Sequence, residues 1–125
     1  MDLNQVTIDV AYFKASVDFY LTLGFRLIVS ARGEYARFEL PSGTSTFSLH
    51  LSDAPRVGGT VLYFEVADVD ATHADLKARG IRFDSPPTSE SWLWREARFT
   101  DPTGHRLCLY HAGDNRRHPP WRLDP

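Results

Sequence analysis

Apolar residues recur at every second position in two short stretches. Val6, Ile8 and Val10 alternate with Gln5, Thr7 and Asp9, and Leu62, Phe64 and Val66 form a second series. That period is the signature of a strand with one face buried. Each series gives way to helical spacing. Ser16, Val17, Phe19, Tyr20 and Leu23 share a helical face, and Gly24 stands where a left-handed cap would end the helix. In the second stretch Asp68 or Asp70 is placed to cap a helix whose Val69, Thr72 and Leu76 lie on one side, with Gly80 as its stop. Ala71, Ala74 and Ala78 add helix propensity. The remaining apolar runs read as strands: 26–30, 35–40 and 46–51, then 82–84, 96–100 and 106–111. Pro41-Ser42-Gly43 and Asp101-Pro102-Thr103-Gly104 supply hairpin turns.

The two halves are copies of one pattern. Ala36-Arg37-Phe38 with Pro41 and Gly43 returns as Ala97-Arg98-Phe99 with Pro102 and Gly104, each pair 61 positions apart. Val10 and Val66, like Gly24 and Gly80, are 56 apart. The second copy therefore gains five residues between helix and hairpin, in the stretch holding Pro86, Pro87 and Ser89-Glu90-Ser91-Trp92-Leu93-Trp94. Each copy predicts strand, helix and three strands. The expected organisation is one domain over 1–112, with repeats at about 3–53 and 58–112 and an extended, Pro-rich tail over 113–125. Trp121 is expected either to anchor that tail on a partner chain or to stand free.

Composition narrows the function. The 125 residues are 42% hydrophobic and 24% charged, with net charge −2 and no basic block, which argues against nucleic acid. One cysteine, Cys108, excludes an internal disulfide, and neither a signal pattern nor a membrane-length apolar run is visible. A cytoplasmic protein without membrane partners is expected.

Phe19-Tyr20-Leu21-Thr22-Leu23-Gly24-Phe25, Val66-Ala67-Asp68-Val69-Asp70-Ala71 with Gly80, and Arg98-Phe99-Thr100-Asp101-Pro102-Thr103-Gly104-His105, in that order on a duplicated frame, resemble the vicinal oxygen chelate superfamily of glyoxalase I, bleomycin-resistance proteins and extradiol dioxygenases. The resemblance covers residues 3–112. It implies an α+β fold of two tandem βαβββ modules curling into a half-open barrel around a small-molecule cavity, helices outside, with two chains pairing as a homodimer. It also implies four His or Glu ligands to a divalent metal.

Those four positions fall on Gln5, Val61, Cys108 and a residue of the 46–51 strand. His50 is the choice there, although the 61-residue offset from Cys108 points to Phe47. Val61 cannot coordinate, and Gln5 is a weak neutral donor, so no ordinary metal site is expected. His50, Glu65 and Cys108 form the alternative set for zinc, nickel, manganese or iron. The favoured reading gives His50 a hydrogen bond to ligand or water, pairs Glu65 with Arg106, and leaves Cys108 a small buried hydrophobe.

Alternation then places Gln5, Thr7, Asp9, Ser48, His50, Ser52, Tyr63, Glu65, Arg106, Cys108 and Tyr110 on the cavity side. Leu49, Leu107 and Leu109 point the other way, beneath the helices. Trp92 and Trp94 are candidates for an aromatic lid, or for core or interface aromatics. His105 and His111 have no partner at a catalytic spacing, and His73, bordering the second helix's buried stripe, reads as a packing or surface residue. Two functions follow: a small-molecule-binding protein sequestering a drug-like or metabolite ligand, and a metal-dependent lyase, isomerase or dioxygenase with an altered ligand set. Metal-free acid–base chemistry at Glu65 or His50 is a third and weaker reading.

Overall fold

The computed structural model describes residues 1–123. Strands β1 (Gln5–Val10), β2 (Arg26–Ala31), β3 (Tyr35–Glu39) and β4 (Thr46–Leu51) flank helix α1 (Phe13–Thr22). Strands β5 (Val61–Glu65), β6 (Thr88–Ser89), β7 (Arg95–Thr100) and β8 (Arg106–His111) accompany α2 (Val69–Ala78). The sheets have orders β1-β4-β3-β2 and β5-β8-β7-β6, with β1 parallel to β4, β5 parallel to β8 and the other pairs antiparallel. The chain is α+β, built of two tandem βαβββ modules.

Two compact units result. The first is Met1–Gly59 with Asp101–His105; the second is Thr60–Thr100 with the chain from Arg106 onward. The turn between β7 and β8 therefore belongs with the first unit. Tyr20 Oη donates to Asp101 Oδ2 at 2.8 Å, Ala11 N–H donates to Thr103 Oγ1 at 3.1 Å, and His105 Nε2 donates to the Asp9 carbonyl at 2.5 Å.

One face of the first sheet packs under α1. Val10, Ala36, Phe38, Phe47 and Leu49 are buried there with Tyr20 and Phe25 from the helix and its exit. Tyr20 sits 4.8 Å from the Phe47 ring and 5.5 Å from that of Phe25. Burying such a ring contributes about 2–3 kcal/mol. In the second unit Val69, Leu76 and Ile81 cover Ala97, Phe99, Leu107 and Leu109. Both helices stop as expected: Gly24 (φ +94°) and Gly80 (φ +97°) adopt the left-handed turn, and Phe25 and Ile81 N–H close back on the Tyr20 and Leu76 carbonyls. Asp68, not Asp70, caps α2 by accepting the Ala71 N–H at 3.0 Å.

Within α1, fully buried Ser16 Oγ has no hydrogen-bond partner among the described residues. A buried unpaired hydroxyl is destabilising. Ser16→Ala is expected to leave stability unchanged or raise it by up to about 1 kcal/mol in urea unfolding.

Two elements differ from expectation. Residues 82–84 make only an isolated bridge, Phe83 to Phe99, and the edge strand is instead Thr88–Ser89. Ser85-Pro86-Pro87 interrupts the edge because proline has no N–H for the ladder. The tail is not extended at its start: Gly113–Arg116 forms a 3₁₀ turn. Trp121 is exposed. The last two positions of the expected tail, 124 and 125, lie outside the described residues.

Candidate functional site

Each sheet carries a polar face opposite its helix. In the first unit the cross-strand register aligns Gln5 with Thr46 and Glu39, Thr7 with Ser48 and Arg37, and Asp9 with His50 and Tyr35. These rows share a face because paired residues point the same way. They hold a connected chain of hydrogen bonds. Gln5 Nε2 donates to Ser48 Oγ at 2.8 Å, Ser48 Oγ lies 2.8 Å from Tyr35 Oη, and Arg37 Nε donates to Tyr35 Oη at 3.0 Å. The Thr46 hydroxyl donates to Gln5 Oε1. The hydrogen bond from Ser48, against a smaller opposing effect of burial and aided by Arg37, lowers the Tyr35 phenol below its ordinary pKa. Ser48 is fully buried; His50 is exposed.

In the second unit Val61, Tyr63 and Glu65 align with Arg106, Cys108 and Tyr110, and onward with Thr100, Arg98 and Glu96. Tyr63 meets both Trp94 and Tyr110 edge to face, at 5.8 and 5.6 Å, while Trp94 stacks on Tyr110 at 4.7 Å. Trp94 and Val61 pack against Cys108, Tyr110 and Ala112. Buried Glu96 accepts from Arg98 Nη2 at 2.7 Å and from Trp92 Nε1 at 2.7 Å. Arg98 Nη2 also reaches Tyr63 Oη at 3.4 Å. The bond to Tyr63, opposed by burial and reinforced by Glu96, raises the guanidinium pKa. Burial, then the neighbouring Glu96 charge, pushes the Cys108 thiol up to about 12, so the thiolate needed for nucleophilic attack or metal ligation is scarce at neutral pH.

The stretch carrying the two tryptophans is the hairpin turn between β6 and β7. Glu90 N–H donates to the Trp94 carbonyl at 2.8 Å, and Leu93 takes φ +69°. Trp94 is a wall on its own sheet, and Trp92 clasps Glu96.

Glu65 is not paired with Arg106 in the way its strand suggested. Arg106 aligns with Val61, four residues back along the strand, and Glu65 turns to the chain beyond β8. Its Oε2 accepts the Ala112 and Gly113 N–H groups at 2.7 and 2.9 Å, with Arg116 Nε 3.8 Å from Oε1. Burial opposes its ionisation, but these donors, with His111 and Arg116 close by, outweigh that, and its pKa falls below the ordinary value. A depressed carboxyl stabilises the fold above its unfolded pKa and loses that contribution as pH falls through the folded one. Glu65→Gln is therefore expected to cost about 1 kcal/mol at neutral pH. Urea unfolding should show the variant and wild type converging in acid.

The position equivalent to Cys108 is Ser48, not His50. Tyr63 pairs with Cys108 as its counterpart Thr7 pairs with Ser48, while His50 matches Tyr110. The first copy has one more residue between turn glycine and strand, which defeats a fixed offset. The positions implied for metal ligands are then an amide already bonded to Ser48 and Thr46, a buried hydroxyl, an apolar side chain and a protonated thiol. Among the described residues no three of His, Cys, Asp and Glu gather in a group that could hold a metal ion. The donors do not fit an ordinary His and Glu centre.

Four residues central to these faces were not singled out from sequence: Tyr35, Arg37, Glu96 and Arg98. Their signal was present, since alternation with buried Ala36, Phe38, Ala97 and Phe99 puts both arginines on the polar side. A separate recess of about 650 Å³ lies by the C-terminal end of α2, lined by His73, Lys77, Arg82, Phe83 and Asp84 among others. It is on the helix side, where the His73 and Phe83 rings pack 4.3 Å apart. His111 Nδ1 donates to the Val66 carbonyl at 2.8 Å. Both this histidine and His105 are bound to backbone, which is a structural role.

A duplicated βαβββ frame with these motifs has known relatives. The sequence model of the Glyoxalase/Bleomycin resistance protein/Dioxygenase superfamily matches residues 2–109. The chain belongs to this superfamily. It is 30% identical to the uncharacterized protein YraH of Bacillus subtilis (strain 168), over 88% of this chain and 98% of that one. A glyoxalase/bleomycin resistance protein/dioxygenase from Nocardioides superposes with a TM-score of 0.78 at 26% identity, covering 99% of this chain and 90% of its own. The lactoylglutathione lyase of Agrobacterium tumefaciens, at 16% identity and TM-score 0.75 over 98% and 97% of the two chains, shares the fold. Among the described residues no helix of this superfamily member is long and apolar enough to cross a membrane.

Proposed function

We propose that the chain is a small-molecule-binding protein of the glyoxalase/bleomycin-resistance type that sequesters a drug-like or metabolite ligand without a metal centre. The observation that carries this reading is the pairing of Gln5 with Ser48 and the burial of the Cys108 thiol. Both take donor atoms out of play at the ligand positions, while Tyr63, His50 and Trp92 remain exposed on the polar faces. Aromatic and hydrogen-bonding side chains on a polar face suit a ligand with rings and polar groups. Superfamily membership supports the ligand-binding role, and the altered donors support its independence from metal. A cytoplasmic homodimer is part of the proposal. Edge strand β2, with Leu27, Ile28 and Val29 exposed, offers a second copy an apolar surface.

A thermal-shift screen against aromatic acids, amides and drug-like molecules tests this, run after exhaustive chelation and again with zinc, nickel, manganese or iron added. A ligand that binds the native state raises the melting temperature by mass action. Stabilisation undiminished by chelation is expected. Ligand binding that appears only with one of these metals would favour the altered-metal lyase, isomerase or dioxygenase instead.

A further inference from the structure

We propose that the polar face of the first unit contains an oxyanion receptor, formed by the outer edge of the Arg37 guanidinium and the Tyr35 hydroxyl, that takes the carboxylate or phosphate of a small anionic ligand. The proposal rests on the reading of that face as a ligand site and adds the charge of what binds there.

The direction of each hydrogen bond leads to it. Gln5 Nε2 lies 3.2 Å from the Val6 carbonyl, which only accepts, so the amide nitrogen and not its oxygen faces Ser48. Ser48 Oγ accepts from that nitrogen, and among the described residues its own proton has one neighbour left, Tyr35 Oη at 2.8 Å. The reverse assignment would strand the Ser48 proton inside the protein, because the residue is fully buried, at a cost of about 1–3 kcal/mol. Arg37 Nε, which can only donate, supplies a second bond to the same phenol oxygen. With both of its oxygen's contacts donors, Tyr35 keeps its own proton for something outside the network. The lowered phenol pKa agrees with an oxygen surrounded by donors.

The second copy acts as an internal control on the charge. Arg37 and Arg98 are repeat equivalents, and both lie near a tyrosine ring, at 5.5 and 5.7 Å. Arg98 is neutralised by buried Glu96 two residues before it. At the matching place before Arg37 stands Tyr35, which carries no charge to match it. Among the described residues Arg37 makes no ion pair, and its terminal nitrogens have no hydrogen-bond partner; Glu39, the next carboxylate along the strand, lies 3.9 Å from Arg26. A half-buried guanidinium without a counter-ion, next to a hydroxyl poised to donate, is complementary to a planar carboxylate or a phosphate.

Titration of full-length protein with tyrosine Cζ labelled, followed by NMR, tests this with benzoate, inorganic phosphate and neutral benzamide. Benzoate or phosphate should shift the Tyr35 resonance to saturation, whichever binds identifying the kind of anion, and benzamide should not. Arg37→Gln should weaken that binding at least tenfold, Arg37→Lys less. Arg79→Gln, which removes one charge from the C-cap of α2 in the other unit, should leave it unchanged. Should Arg37→Gln misfold, Tyr35→Phe replaces it, with loss of the anion-induced thermal shift as the readout. Equal response to benzamide and benzoate would overturn the anion receptor while leaving ligand binding intact. No response to either anion at millimolar concentration, or equal losses in Arg37→Gln and Arg79→Gln, would also overturn it.

Discussion

Asp101→Ala is expected to lower unfolding free energy by about 3 kcal/mol or more, the largest single loss anticipated for this chain. One carboxylate holds the whole Asp-Pro-Thr-Gly turn. Its Oδ1 accepts the N–H groups of Thr103, Gly104 and His105 at 3.0, 2.9 and 2.9 Å, and its Oδ2 accepts from Tyr20 Oη. Removing it strands the Tyr20 hydroxyl, which is fully buried and whose ionisation burial and Asp101 both oppose. Tyr20→Phe removes only one of the four donors and should cost about 1–2 kcal/mol. In the double variant the Tyr20 penalty should largely vanish, which a double-mutant cycle in urea measures. Additive losses would show that the two groups do not interact. The first copy has Leu40 where Asp101 stands, so its turn has no such carboxylate.

Arg98→Ala should have the next largest effect, about 2–3 kcal/mol, because it abandons a charge. The Glu96 side chain is 3% exposed and depends on Arg98 and Trp92 for its hydrogen bonds, whereas Arg98 itself is 38% exposed and partly screened by solvent. Removing the cation is therefore more harmful than neutralising the pair. Adding Glu96→Gln to Arg98→Ala should restore part of the lost stability in chemical denaturation. A double variant less stable than Arg98→Ala would count against the buried charge as the cause.

The fold was legible because its signals are redundant. Alternation, the two stopping glycines and the 61-residue recurrence of Ala-Arg-Phe all agree on the same two modules. The broken edge near Pro86 was less legible, since Arg82-Phe83-Asp84 alternates like a strand but its backbone pairing is cut short by prolines downstream. Glu65 misled for a related reason. Its alternation put it on the polar face, yet a carboxylate at a strand end is drawn to free N–H groups, and those of Ala112 and Gly113 come from chain with no repeat to announce them. The fixed offset points to Phe47 and the sequence reading to His50, whereas the extra residue in the first hairpin, which sets Ser48 opposite Thr7, shows only in the cross-strand pairing. In the sequence Arg37 stands out only as part of the Ala-Arg-Phe repeat, and Tyr35 only as the start of a strand. What sets them apart is the absence of a carboxylate beside Arg37, which only the contrast with Glu96 and Arg98 exposes.

Elemental analysis of protein purified without chelator, alongside its binding isotherm for a ligand from the screen, is the most direct test of a metal-independent binding protein. The account predicts zinc, nickel, manganese and iron all well under one equivalent per chain, and an isotherm unchanged by exhaustive chelation. One equivalent of any of them, lost together with ligand binding in His50→Ala, would contradict it.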